Sequence, residues 1–197
     1  MPAAPAQAAF ESEIKPLDRQ LREHMKGNSW HRGCPVARDR LRLVHVTHWN
    51  FQAEEQHGRL VVRLSEATET RDVFAELYEL RFSIEKVHLI DRYDGSDSRS
   101  MRANNTSAFN CRTVAGTSRW SEHAYGTALD INPVQNPYVS GGHVSPAEGR
   151  RYLDRSDVRE GMVTGDVVQA FAGIAGWSWG GNWSGTKDYQ HFSRSGS

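Results

Sequence analysis

Ser121-Glu122-His123-Ala124-Tyr125-Gly126-Thr127-Ala128-Leu129-Asp130 reads S-x-H-x-x-G-x-A-x-D. It places an imidazole shortly before a carboxylate, with a glycine between them that lets the backbone turn. Ala128 keeps the approach open, and Asp130 projects to the same side as Ala128 because side chains alternate along a strand. An imidazole and a carboxylate brought together in this way suit Zn²⁺. Towards the C-terminus, Trp177-Ser178-Trp179-Gly180-Gly181-Asn182-Trp183 precedes Asp188-Tyr189-Gln190-His191-Phe192. His191 offers a third ligand and Asp188 an acid beside it. That arrangement requires a bend, since residues three apart in an extended segment project to opposite sides. Three protein ligands leave zinc an open position, at which the pKa of a water falls towards ~7. Asp188 then has the chemistry of a general base. An arginine could hold a terminal carboxylate or the scissile carbonyl oxygen by charge-assisted bonds, and with zinc could stabilise the oxyanion. No HExxH occurs, so the helical zincin arrangement is excluded. Of the nine His, only His123 and His191 have defensible ligand spacing. Asp91, Asp94 and Asp97 lack the spacing of a calcium loop and read as a solvated turn.

The ordered set S-x-H-x-x-G-x-A-x-D, W-G-G-x-W (179–183) and D-x-x-H-F resembles the M15 family of zinc metallopeptidases. That group includes D-alanyl-D-alanine carboxypeptidases and dipeptidases, and L-alanyl-D-glutamate endopeptidases of bacteria and phages. The resemblance covers residues 107–192. It implies one Zn²⁺ per chain held by His123, Asp130 and His191, with Asp188 as general base. It implies a peptidoglycan stem peptide, or a D-Ala-D-Ala-type compound, as substrate. Many members carry a G-Y-R-S segment whose Arg holds substrate. Here the counterpart is Ser107-Ala108-Phe109-Asn110-Cys111-Arg112. The substrate-binding role is carried to Arg112, with Arg102 and Arg119 as alternatives, and Ser121 and Trp179 are further candidates to contact substrate. Other readings are a non-catalytic zinc-binding module like the hedgehog signalling domain, and a cytosolic D-Ala-D-Ala dipeptidase. An acid at position 188 favours an enzyme over the module.

These residues must be carried by a scaffold. The 197 residues suit a single peptidase domain over 10–197, with a segment at 10–38 packed on it and a flexible tail at 1–9. The 24 basic and 24 acidic residues balance, which argues against a generic nucleic-acid binder. No apolar run approaches the ~20 residues of a membrane span. A monomer is expected. The Ala/Pro-rich start resembles the small-residue stretch around a signal cleavage site, so a secreted or cell-envelope protein is expected. In that compartment Cys34 and Cys111 are candidates for a disulfide.

Apolar spacing predicts a helix over 10–25, strands at 41–48 and 60–64 separated by a turn at 56–58, and a helix over 66–82 capped by Ser65. A strand follows at 84–90 and a long loop at 91–105. Further strands are predicted at 108–114, 127–131 and 189–193, with an irregular stretch at 136–159. A helix from Asp166 is stopped by Gly176. The pattern is α+β: a mainly antiparallel sheet flanked by a few helices, and the family resemblance implies a hedgehog and D-Ala-D-Ala peptidase-like fold.

Overall fold

The computed structural model describes residues 9–197, so the expected tail at 1–9 lies, apart from Ala9, outside the described residues. The chain opens with β1 (Ser12–Pro16) and α1 (Arg19–Met25), then β2 (Leu41–Trp49) and β3 (Glu55–Arg63). These strands form an antiparallel sheet in the order β1-β2-β3. The predicted helix over 10–25 is thus half strand. Residues 12–16 pair with the free edge of β2, and the helix starts only after Pro16, where the Asp18 carboxylate accepts from Leu21 N at 2.7 Å. The hairpin turns at 50–54 rather than at 56–58. Asn50 Oδ1 accepts from the backbone of Gln52 and Glu54, both at 2.9 Å, and closes the turn together with backbone bonds from Asn50 N to Glu54 O and from Ala53 N to Asn50 O. Gly58 instead lies within β3, where a Cβ would sit 2.4 Å from that of Val87. Its lack of a side chain serves close packing, not turning.

Alternation along β2 and β3 feeds two cores. Val44, Val46, Leu60 and Val62 face α2 (Ala67–Glu79), which contributes Val73, Phe74 and Leu77. Leu41, Leu43 and Val61 face the other way, onto Leu17, Met25, Val36, Phe109 and Cys111. The segment 10–38 therefore closes a second core of its own. It is tied down by a disulfide between Cys34 and Cys111. α2 is entered through a 3-10 turn at Leu64–Glu66, and Ser65 does not cap it. The Ser65 hydroxyl donates to the Glu66 carboxylate at 2.7 Å.

The strand expected at 84–90 shrinks to β4 (Lys86–Val87), and the expected loop at 91–105 contains α3 (Asp97–Arg102) and β5 (Asn105–Thr106), which runs parallel to β4. Asp91 departs from the solvated turn expected here, being buried and accepting from Ser29 N (3.3 Å) and Oγ (2.8 Å), while Asp94 is exposed. Residues 108–114 are irregular rather than a strand, held by bridges at Ser107↔Asp130 and Thr113↔Trp120. α4 (Glu122–Tyr125) and β6 (Ala128–Asp130) follow. The stretch 136–159 contains a hairpin of β7 (Tyr138–Ser140) and β8 (His143–Ser145).

α5 (Gly165–Ala170) continues as a wider π-turn over Phe171–Ala175 and stops at Gly176, whose φ of +67° places it in the left-handed region. β9 (Ser178–Trp179), β10 (Lys187–Asp188) and β11 (His191–Ser193) complete the chain. Two small sheets result, ordered β10-β7-β8 and β6-β11-β9, each antiparallel. Phe192 of β11 stacks on Phe171, with ring centroids 3.8 Å apart, which anchors the last strand in the main core. The architecture is mixed α and β, with antiparallel sheets and a few helices.

Candidate metal centre

The site is assembled at the junction of α4, β6 and β11. α4 is a single turn. Ser121 is its N-cap, with Oγ accepting from His123 N at 3.4 Å, and Gly126 ends it at φ +68°. A Cβ on Gly126 would sit 2.6 Å from Arg63 N, whose N–H donates to the Gly126 carbonyl at 2.9 Å. Only glycine fits both the backbone angle and this contact. The turn is thereby fastened to the end of β3 with His123 facing inward. β6 and β11 pair with Asp130 directly opposite His191.

His123, Asp130 and His191 are all buried, and their potential ligand atoms converge. His123 Nε2 lies 3.2 Å from Asp130 Oδ2 and 3.3 Å from His191 Nδ1, while His191 Nδ1 lies 3.0 Å from Asp130 Oδ1. His123 Nδ1 is 2.6 Å from the Ala108 carbonyl. A carbonyl can only accept, so Nδ1 carries the proton and Nε2 keeps its lone pair for the pocket. Burial alone would push the Asp130 carboxyl up, but the two imidazoles hold it well below the usual carboxylate range. Burial likewise lowers His123, yet Asp130 outweighs it and holds the imidazole above its ordinary value. An aspartate between two imidazoles in a buried pocket is a charge arrangement that one divalent cation satisfies. The donor set of two nitrogens and a carboxylate oxygen fits zinc. His31, Cys34 and Cys111 also lie close together, but there the two sulfurs are bonded to each other.

The bend needed before His191 is present. Asp188 belongs to β10 on one small sheet, and the chain turns through Tyr189 and Gln190 into β11 on the other. The glycines of W-G-G-x-W make this packing possible. A Cβ on Gly180 would meet Asp188 O at 2.6 Å, and one on Gly181 would meet the Trp179 ring at 2.3 Å. Asp188 as a whole is half-buried, but its Oδ1 is enclosed and has no hydrogen-bond partner. Burial first, and the nearby Asp130 charge second, push its carboxyl up to about 7. His191 and Arg112 pull it the other way. A carboxyl that exchanges a proton near neutrality is suited to acid–base work.

Of the three candidate arginines, Arg112 is brought to the site. Its carbonyl accepts at 3.1 Å from the N–H of Ser121, the cap of the turn that carries His123, whereas Arg102 and Arg119 are exposed. Trp179 packs against the main core. Its indole N–H donates to Tyr189 O at 2.8 Å and braces the turn before His191. Trp183 is the tryptophan beside the cluster, its ring centroid 5.5 Å from that of His191. The Ala108 carbonyl, which orients His123, leaves no trace in the sequence, because any residue could supply it. Asp97, 3.1 Å from Arg112, was concealed in what read as a polar loop.

Residues 115–194 match a family model described as D-alanyl-D-alanine carboxypeptidase, an M15 peptidase model. His123, Asp130, Asp188 and His191 fall within the match and Arg112 outside it. Over these residues, fewer than half of the chain, the protein is similar to M15 family peptidases, which are hydrolases. No curated protein and no solved structure matches the chain.

Proposed function

We propose that this protein is a zinc-dependent peptidase that cleaves D-amino-acid-containing bonds of peptidoglycan stem peptides, as a D,D-carboxypeptidase or an L-Ala-D-Glu endopeptidase. We place it outside the cytoplasm, in the cell envelope or secreted, working as a monomer. The observation that carries this reading is the convergence of His123 Nε2, His191 Nδ1 and the Asp130 carboxylate beside an enclosed acid with a pKa near neutrality. His123, Asp130 and His191 would hold zinc, which when bound supplies Lewis acidity to the attacking water and the scissile carbonyl. Asp188 takes the proton of the attacking water and returns it to the leaving amine. Arg112 binds a substrate carboxylate or the carbonyl oxygen through charge-assisted hydrogen bonds. The Ala108 carbonyl holds the His123 ring so that its Nε2 stays directed at the site. Trp183 forms apolar wall next to His191. Asp188 favours catalysis over a purely binding module of hedgehog-like fold, for which a general base would have no use.

The test is kinetic. Wild type and Asp188→Ala, both zinc-loaded, are assayed on muropeptides. Loss of a general acid–base should lower kcat by about 10²–10⁴-fold with zinc content unchanged. Full turnover in Asp188→Ala would remove it from the mechanism.

A further inference from the structure

We infer that Asp97 is the positioning residue for Arg112, fixing one edge of its guanidinium so that the remaining donors are free for substrate. The inference rests on the reading of Arg112 as the group that holds substrate. Asp97 Oδ2 lies 3.1 Å from Arg112 Nη2, with the two side chains 31% and 30% exposed. The rest of the guanidinium is uncommitted. Nη1 reaches only the Thr113 carbonyl, at 3.5 Å, and Nε is enclosed without a partner. A guanidinium is planar and presents its N–H donors in a fixed fork, so fixing one nitrogen limits where the others can point. The Arg112 side chain is 30% exposed, so N–H donors left on its Nη groups are the ones that a carboxylate or carbonyl oxygen can reach.

The two residues come from segments that are fastened to each other independently of the ion pair. Asn110 Nδ2 donates to the Gly95 carbonyl at 3.2 Å, just before each of the two charged residues. Ser96 caps α3, and Asp94 pairs with Arg99 at 2.8 Å, so Asp97 is presented from an ordered turn. On the other side, Cys111 is held by its disulfide to Cys34 and by its N–H donating to Ser29 O at 2.9 Å. Ser121 N donates to the Arg112 carbonyl at 3.1 Å and Asn110 N donates to the His123 carbonyl at 3.1 Å, which ties the segment bearing Arg112 to the turn that carries His123. Asp97 thus orients Arg112 while substrate takes the exposed donors left on its guanidinium, and Asp97 is not itself a substrate contact.

The experiment compares wild type, Asp97→Ala, Asp97→Asn, Arg112→Ala and the Asp97→Ala/Arg112→Ala double variant, all zinc-loaded. A peptidoglycan pentapeptide ending in D-Ala-D-Ala is both assayed for kcat and KM and titrated by calorimetry, which reads binding whether or not the peptide is cleaved. Thermal melts and zinc content verify that each variant is folded. Because the pair is partly exposed, Asp97→Ala should weaken binding by about three- to tenfold, with kcat within about twofold of wild type. Asp97→Asn, which keeps an oxygen acceptor, should fall between. The decisive result is the double variant, which should bind no worse than Arg112→Ala alone. Additive losses in the double variant, or unchanged binding in Asp97→Ala while Arg112→Ala is impaired, would overturn the role of Asp97 and leave the function standing. Unchanged binding in Arg112→Ala would overturn both the Arg112 reading and this one. Binding without cleavage by wild type would overturn the peptidase reading and leave the Asp97 comparison intact, whereas no binding by wild type would overturn both.

Discussion

Removing the disulfide is a perturbation whose magnitude follows from chain length. Cys34 and Cys111 are separated by 77 residues, and the bond closes the loop that contains the whole β2–β3 hairpin and α2. In the chain-entropy model a closed loop of this length restricts the unfolded state by about 4.5 kcal/mol. Unfolding entropy of ~2.1 cal/mol/K per residue gives roughly 0.4 kcal/mol/K for a chain of this size, so the bond should raise Tm by about 11 °C. Residual structure in the unfolded chain reduces the figure, and lost packing at buried Cys111 adds to it. The Cys34→Ser/Cys111→Ser double variant, which leaves no unpaired thiol, should therefore melt about 5–11 °C below the oxidised wild type. Reduced wild type should shift in the same direction. The assay is thermal unfolding followed by circular dichroism at one pH and protein concentration. A fall of less than about 2 °C would mean that the second core docks without the bond and that the entropic argument fails.

Three further outcomes follow from single positions. Gly126→Ala must take a left-handed backbone and press a Cβ to 2.6 Å from Arg63 N. It should lose about 2 kcal/mol or more in urea unfolding and bind zinc more weakly, and a neutral effect would show that the turn can relax. His48 is buried and its pKa is lowered, by burial first and then by the charges of His88 and His57, against the opposing Trp49 and Ile84 carbonyls. Its folded pKa lies below the unfolded value of 6.5, so stability is complete above pH 6.5 and falls as the pH drops below it, by at most about 1.4 kcal/mol per pH unit for this group. His48→Gln should flatten that decline between pH 7 and pH 5, and an unchanged slope would refute the assignment. His123→Ala should lose most of its zinc on metal analysis after dialysis, while wild type retains about one ion per chain. Equal zinc in both would place the metal elsewhere.

The gathering of the candidate ligands was more legible in the sequence than the fold. S-x-H-x-x-G-x-A-x-D and D-x-x-H-F are local patterns, and a strand pairing is enough to set His191 opposite Asp130. The helix starting at Asp166 and its stop at Gly176 were readable for the same reason, since periodicity and a left-handed cap are local. Residues 10–25 misled because Ile14 and Leu17 have helical spacing yet belong to different cores, and only the free edge of β2 makes 12–16 a strand. Gly58 looked like a turn because a sequence does not reveal that Val87 packs against it. The polar run 91–105 looked unstructured because its order comes from distant partners: Asp91 with Ser29, Gly95 with Asn110, and Asp97 with Arg112. The W-G-G-x-W glycines were visible, but their purpose was not. They admit the backbone of Asp188 and the ring of Trp179, which no spacing rule anticipates.

The most direct test of the central claim is the mass spectrum of a muropeptide mixture digested by the protein, with and without zinc restored after chelation. The account predicts products only in the zinc-restored sample, with masses that correspond to hydrolysis at a D-amino-acid-containing bond, and separates terminal D-Ala release from internal cleavage. An unchanged muropeptide spectrum from folded, zinc-loaded protein would contradict it.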